Sequence, residues 1–592
     1  MRGPEAMIEP ASPNGFRWKT IPLAALSYMR ERMGIGYVWV GAVLALGASL
    51  PALFAREVFG DDWSVYYTYW TEGLPGLFRV LYEAAHAGFI VPMSLLVVLL
   101  PDMPDVAARL AGLGCHLANG VLLYSILQRS PHTKPIAALF AALFLLSPFY
   151  VIRLTQNAVY DVFLLFYLLS YELTYSKVRA LRWAAPFCLF FSLSLETLIA
   201  LEPLRVVLAR SPGERWTRTL ARLAPFWLAV ATIIVLRMTI LGKSGHYAGQ
   251  YSFVSDPVVI RKALVAHFMA FRTGLEYAYS HGFGLLGSRN STVLALAAMV
   301  GSALLSASAF WTPWLLRSLV SSANAMLLLA LGAAIALLGA MPYAITGIYG
   351  DVMRGESRLL FPSQVGVLLL MATFIQLVPG ARLRAGLAGG LLTVFALSMV
   401  QDSKRLLYDG LINSDLQRQV RAALLADPEP KVVRLHIENP HLFSYRSRCL
   451  GAPDMNVAQM MLRDENRERS FVYTDHCGDF DSSGAIRNDA CTVSYLEFFP
   501  CPPRRETWRY RAAPSIPPPD RIRLLELMRA VLEDAPSATQ GRGELVQLKD
   551  NLPIPLARAE YRPPCRRPGV RGTAWLLALP APSCEESGLG AR

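Results

Sequence analysis

The chain has 592 residues, 53% of them hydrophobic and 17% charged, with mean hydropathy +0.34. An ordinary soluble domain carries about 25% charged residues; the composition excludes a string of soluble domains, a collagen, a coiled coil, a disordered chain and a soluble nucleic-acid binder, and is that of a polytopic membrane protein. The net charge of +13 (57 basic against 44 acidic residues) fits membrane topology better than nucleic acid, because basic residues accumulate in cytoplasmic loops.

Met1 to Lys19 is polar, holds Pro10 and Pro13, and lacks the apolar centre of a cleavable signal. Residues 1–33 are therefore expected to be a cytoplasmic segment ahead of an uncleaved first span at 34–55. A crossing needs about 20 apolar residues. Further candidate runs lie at 107–127, 135–150, 157–175, 183–195, 197–209, 223–240, 292–314, 322–345, 359–378 and 385–400. That predicts about eleven transmembrane helices in an all-α domain over 34–400.

The positive-inside rule gives the orientation. Arg30 and Arg32, Arg129 and Lys134, Lys177 to Arg182, Arg210 to Arg222, Arg317, and Arg382 with Arg384 all fall on one side if the amino terminus is cytoplasmic. The opposite loops are acidic or mixed, with Glu57, Asp61, Asp62, Glu72, Glu83, Asp102 and Asp105 in the first. An odd number of crossings puts the carboxyl terminus outside. The alanine-, leucine- and arginine-rich composition points to a bacterium with GC-rich DNA, hence to an inner membrane and a periplasmic outer side.

Residues 401–592 read as a small soluble α+β domain on that side. Lys431 to Ile437, Phe471 to Thr474, Thr492 to Phe499 and Thr573 to Leu579 have strand composition, and Arg521 to Leu532 has the period of an amphipathic helix. Cys449, Cys477, Cys491, Cys501, Cys565 and Cys584 all fall here. Such an even set suits disulfides in an oxidising compartment. Cys115 and Cys188 lie in apolar stretches and read as core residues.

The chemistry concentrates in the first outer loop, 57–106. Asp61-Asp62-Trp63 follows the first span directly, and adjacent carboxylates beside hydrocarbon are costly to keep. Tyr66, Tyr67, Tyr69 and Trp70 come next. A moderately apolar stretch broken by Pro75 and Pro92 then reads as one or two helices lying along the interface. The structural alternative is an aspartate helix cap beside an ordinary aromatic belt.

This arrangement resembles the GT-C glycosyltransferases, integral membrane enzymes that use a polyprenyl-phosphate-linked sugar. Phe59-Gly60-Asp61-Asp62-Trp63 is similar to their acidic motif in the first outer loop. Gly355 to Ser363 (GESRLLFPS) resembles their outer-face segment ending in Pro-Ser, and Leu195-Glu196-Thr197 resembles a Lys-Glu site between two short helices, without the lysine. The resemblance covers approximately residues 30–400. It implies transfer of a sugar from a polyprenyl-phosphate donor to a glycan, lipid or protein acceptor, by inversion, with Asp61 as general base and Asp62 orienting it.

Asp61 and Asp62 are also the candidate ligands of a divalent cation, magnesium or manganese. Arg358 matches the family arginine and is the first candidate for the donor phosphate, followed by Lys243, His246, Arg354 and His86. Trp63, Glu196 and Tyr247 are candidates for the acceptor or sugar pocket. Structural alternatives are snorkelling for Arg358, an Arg153–Asp161 pair between two spans, and a Glu202–Arg205 pair one helical turn apart. A transporter or flippase for a lipid-linked glycan is the alternative class; it calls for broken helices and polar groups near the bilayer midplane, whereas the ionisable residues here read as clustered at the outer surface.

Overall fold

The computed structural model describes residues 23–55, 61–83, 87–99, 104–150, 159–210, 214–240, 254–287, 301, 322–346, 360–427, 429–438, 470–474, 486–487, 490–494, 497–512, 524–532, 543–549 and 552–556. The protein is a helical membrane-embedded bundle carrying a small mixed sheet at one end. Its helices are α1 (Leu23–Leu53), α2 (Asp61–Glu83), α3 (Ile90–Leu99), α4 (Pro104–Gln128), α5 (Ala137–Leu145), α6 (Val159–Thr174), α7 (Arg179–Ser192), α8 (Glu202–Ala209), α9 (Trp216–Thr239), α10 (Pro257–Gly287), α11 (Ser322–Ile345), α12 (Phe361–Leu377), α13 (Ala381–Ala426) and α14 (Leu524–Leu532). Short 3-10 turns stand at Ala87–Phe89, Lys134–Ile136 and Glu196–Leu201.

Among the described residues five helices are long and apolar enough to cross a membrane: Ile35–Leu53, Ala107–Gln128, Trp216–Arg237, Ala323–Ile345 and Ala381–Ala426. The expectation of about eleven crossings is therefore corrected. The runs at 135–150, 157–175, 183–195, 197–209 and 359–378 are carried by helices of 9, 16, 14, 8 and 17 residues. An apolar window registers burial, and a short helix packed inside protein is as apolar as one in lipid. Every residue of α5 is buried. The run at 292–314 lies outside the described residues.

Apolar side chains turned outward mark the lipid face. On α1, Trp39, Val43, Leu46 and Leu50 are exposed at helical spacing; on α3, Val91, Leu95 and Val98 are. Large apolar residues in such stripes have no place against water. The inward face of α1 is alanine-rich, with Ala45, Ala48 and Ala52 buried, and small residues let α4, α5 and α13 approach closely.

Depth follows from the helix ends. Arg109, in the second turn of α4, donates to the carbonyl of Ala55 just past α1, so the end of α1 and the start of α4 share a level. Arg129, past the other end of α4, pairs with Glu172 near the end of α6. His116 lies midway along α4, about 18 Å from Pro104 at 1.5 Å per residue, and meets both the Leu145 carbonyl and Asp161. The end of α5 and the start of α6 therefore meet at the middle of α4.

α13 begins after Gly380, whose φ of 87° turns the chain back from α12. Its 46 residues make a rod of about 69 Å, more than twice the ~30 Å hydrocarbon thickness. The helix is thus long and apolar enough to cross and still continue into the sheet end, and the boundary expected at residue 400 falls within a single helix.

Toward its carboxyl end, Leu407, Leu416, Val420 and Leu424 of α13 pack on a five-stranded sheet and on α14. The strands are β1 (Val432–Ile437), β2 (Phe471–Thr474), β6 (Arg505–Ala512), β7 (Gly543–Lys549) and β8 (Leu552–Pro555), in the order β2-β1-β6-β7-β8. β1 is parallel to β2 and β6, and the rest are antiparallel. Trp508 and Tyr510 of β6 are buried in this core. A second sheet holds β3 (Ile486–Arg487), β4 (Ala490–Ser494) and β5 (Glu497–Pro500). The expected single strand Thr492–Phe499 is a correction: it is the β4–β5 hairpin, closed by a Cys491–Cys501 disulfide. This hairpin touches β2 and α2. Residues 573–579 and Cys449, Cys477, Cys565 and Cys584 lie outside the described residues.

Candidate functional site

The loop of interest starts where α1 leaves the bundle. Ala55 is fully buried against the core that holds Leu407 and Tyr408 of α13, and its carbonyl is held by Arg109, itself 2% exposed. Six residues later Asp61 opens α2. At no more than about 3.5 Å per residue, the start of α2 lies within ~21 Å of this anchor. Of Asp61, Asp62 and Trp63 only the backbone is described.

α13 is polar at this level. Gln401, Asp402, Ser403, Lys404, Asp409 and Asn413 are all buried, and Arg405 pairs with Asp409 at 3.2 Å. Burying this many polar groups is unfavourable unless they are paired or used. The band brackets the residues on which the end of α1 rests, so Arg109, the α1–α2 junction and the polar stretch of α13 form one region under the sheet.

α2 leads away from that region. Its Gly73 has φ 69° and ψ −159°, a backbone that breaks the helix and suits glycine; beyond it the chain packs on α3. Leu77, Val80 and Leu81 face the core while Leu74, Phe78 and Tyr82 are exposed. Helices α2 and α3 thus occupy the loop that the sequence reads as one or two helices. Arg79 pairs with Glu72 at 2.7 Å and Glu83 at 3.8 Å on its surface.

The loop then presses onto the α7–α8 turn. A Cβ at Gly88 would overlap the Ser194 hydroxyl, so glycine is required for this approach. Next to Ser194, Glu196 accepts a hydrogen bond from Arg237 of α9 at 3.0 Å, the two side chains 32% and 18% exposed. Phe89 packs on Tyr160 and Phe163 of α6, and Tyr160 on Phe361 at the head of α12. Glu196 therefore stands near the turn at Gly88 that follows α2.

Two buried pairs of ionisable side chains stand elsewhere in the bundle. His116 Nδ1 is 3.2 Å from Asp161, both side chains fully buried, with the Tyr150 ring stacked 3.6 Å from the imidazole. The Leu145 carbonyl can only accept, so Nε2 carries a proton. Asp161 thus faces His116 among the described residues, and Arg153 lies outside them. Glu202 and Arg205 do pair, at 2.9 Å. Arg205 also donates to Ser170 and lies over Tyr171 and Phe226 at 4.1 and 4.5 Å. These pairs correct the expectation that ionisable residues cluster at the surface.

His86, Lys243, His246, Tyr247, Arg354 and Arg358 lie outside the described residues. Among the described residues no group of three His, Cys, Asp or Glu side chains converges as a metal site. Sequence reasoning missed Arg109, Arg237 and His267. The first two carried a legible signal, a lone arginine near the end of an apolar run. His267 sits in an unremarked segment, and its contact with Ser363 spans 96 residues.

No protein-family model matches this chain, and no curated protein matches it.

Proposed function

We propose that this protein is an integral-membrane glycosyltransferase, taking a sugar from a polyprenyl-phosphate donor and passing it to a glycan, lipid or protein acceptor on the side that carries the sheet. In this reading that side is the periplasm of an inner membrane and the amino terminus is cytoplasmic. The observation that carries the reading is the order of the chain at this end: α2 begins on Asp61-Asp62 six residues after Ala55, whose carbonyl is held by buried Arg109 and which packs with α13 next to its polar band. The sheet domain resting on the same helix would receive the acceptor.

The step is a single displacement. The acceptor hydroxyl loses its proton to the Asp61 carboxylate as its oxygen bonds to the anomeric carbon. The bond from that carbon to the phosphate oxygen breaks, and its electron pair leaves with the lipid phosphate. Cations must meet that charge; Arg358, Arg354, Lys243 and His246 are the proposed donors. Trp63, Tyr247 and the Glu196–Arg237 pair would bound the sugar or acceptor.

The test is transfer of labelled sugar from polyprenyl-phosphate donors in membranes containing Asp61→Asn or Asp62→Asn protein. Loss of about 10²-fold or more in Asp61→Asn at normal expression is expected for a general base. Transfer at the wild-type rate by both variants refutes the assignment.

A second reading, a lipid-glycan transporter, is favoured by the interior pairs His116–Asp161 and Glu202–Arg205 and by helices that end inside the bundle. Flux of a lipid-linked glycan across sealed vesicles with no new glycosidic bond would select it.

A further inference from the structure

Several helices finish or begin together at the end of α4 away from Arg109, about 30 Å along its axis at 1.5 Å per residue. Arg129 pairs there with Glu172, and its guanidinium lies 5.1 Å over the ring of Tyr175, just past α6. The Tyr175 hydroxyl donates to the carbonyl of Leu208, near the end of α8, at 3.1 Å. Arg210, next past α8, lies 4.1 Å over the ring of Trp216 at the start of α9. α7 begins at Arg179, four residues after Tyr175, and packs on α9. The starts of α7 and α9 therefore share this level.

Acid meets base here only in part. Arg129 is matched by Glu172 and Arg222 by Glu214. Lys177, Arg179, Arg182, Arg215 and Arg218 are exposed and make no ion pair among the described residues. Neither helix has an acidic residue in its first turn or a side chain capping its first amides. Cations at a helix start are disfavoured by the peptide dipoles, and like charges crowded together repel. An anion lying against these side chains relieves both.

Topology alone explains basic residues at one end of a bundle; the surface that continues from them narrows the partner. Trp183 is 64% and Phe187 74% exposed. They share the face of Arg179 and Arg182, at helical spacing, within about 12 Å of Arg179 along α7. On α9, exposed Leu220, Trp227 and Leu228 follow Arg215 and Arg218 in the same way. Along both helices the surface thus runs from guanidinium groups to indole and then to hydrocarbon. A soluble anion or a nucleic acid matches only its first turn. A phospholipid with a negative head group matches its whole length, phosphate against the arginines and chains against the apolar stripe.

We propose that the face formed by the starts of α7 and α9 binds an anionic phospholipid, with Arg179, Arg182, Arg215 and Arg218 meeting its head group and Trp183 and Phe187 its acyl chains. The site lies at the end of the bundle opposite the sheet and does not depend on the sugar-transfer reading.

The experiment titrates the purified full-length protein in detergent with dioleoyl phosphatidylglycerol or, as the neutral lipid, dioleoyl phosphatidylcholine, and counts bound lipid by native mass spectrometry. Wild type is expected to bind phosphatidylglycerol more tightly by about tenfold or more. A basic residue beside a head group is worth about fivefold, so Arg179→Gln with Arg182→Gln should weaken phosphatidylglycerol about 25-fold and leave phosphatidylcholine unchanged. Both side chains are exposed, so the melting temperature of this variant should stay at the wild-type value. Arg261→Gln with Lys262→Gln removes the same charge from exposed positions at the other end of the bundle. That end is fixed by α11, which runs from Asn324, bonded to His132 near Arg129, to Ile345, whose carbonyl accepts from Val254 ahead of α10. This second variant is expected to bind phosphatidylglycerol as wild type does. Equal weakening by the two double variants reduces the effect to net charge and overturns the site, as does a wild type that binds both lipids alike. Displacement of the lipid by equimolar glycerol 3-phosphate, which has the phosphate without the chains, assigns the face to a soluble anion and overturns the proposal too.

Discussion

Replacing Glu202 by alanine strands a guanidinium inside the bundle. Arg205 is 3% exposed and its Nε lies 2.9 Å from the Glu202 carboxylate, which also accepts from the Tyr167 hydroxyl at 2.8 Å. At an effective dielectric near 20, unit charges at this distance attract by ~332/(20 × 2.9), about 6 kcal/mol. Part of that is offset by the desolvation already incurred, and breaking a buried pair by removing one partner costs about 3–5 kcal/mol. Glu202→Gln keeps an acceptor for both donors and loses only the charge, so it is expected to fall between wild type and Glu202→Ala. Removing both charges is a different perturbation. In Glu202→Leu with Arg205→Met the thioether lies between Tyr171 and Phe226, a favourable setting for sulfur, and stability is expected within ~1 kcal/mol of wild type. Denaturation of the purified protein in mixed micelles by increasing dodecyl sulfate measures all three. A Glu202→Ala protein as stable as wild type, or a double variant less stable than Glu202→Ala, refutes the account.

Gly88→Ala drives a methyl group into Ser194 and is expected to destabilise by about 1–3 kcal/mol; Ser194→Gly added to it should restore the melting temperature, and failure to do so would place the strain elsewhere. Cys491 and Cys501 are ten residues apart, so opening their loop is expected to cost the sheet end ~2.7 kcal/mol, read as earlier proteolysis of the β4–β5 region in Cys501→Ser protein. Asp427 is held below the usual carboxylate range, first by its hydrogen bond from Lys431 and then by Arg504. A depressed carboxyl stabilises the fold fully above its unfolded value and loses that contribution as pH falls through the folded one. Asp427→Asn should thus melt below wild type at neutral pH, and the two curves should converge under about pH 4. A gap independent of pH would refute the ion-pair origin.

Strands were legible from β-branched and aromatic content, as in Val432–Ile437 and Phe471–Thr474. β6 was not, because its outward positions are Arg505, Arg509 and Arg511, and a strand with three arginines reads as a loop. Its inward positions, Glu506, Trp508 and Tyr510, are buried in strict alternation. α2 was legible as a helix in the first loop, whereas the contact of Gly88 with Ser194 was not, since 106 residues of chain separate two loops that only the packed bundle brings together. The span count failed for a simpler reason. Hydropathy measures escape from water, and α5 escapes into protein.

That distinction separates structural polar residues from functional ones. A helix that stops inside a bundle leaves carbonyls that no water can reach, and side chains must answer them. Arg109 takes the carbonyl of Ala55 after α1, His116 that of Leu145 at the end of α5, and Arg384 that of Gln376 in α12. Each looks, in sequence, like a polar group placed in hydrocarbon for chemistry, and each has a backbone to satisfy. Glu196, Arg237 and His267 bind side chains instead. Backbone accounting does not require them, so it is there and along the α1–α2 junction that variants should change what the protein does before they change whether it folds.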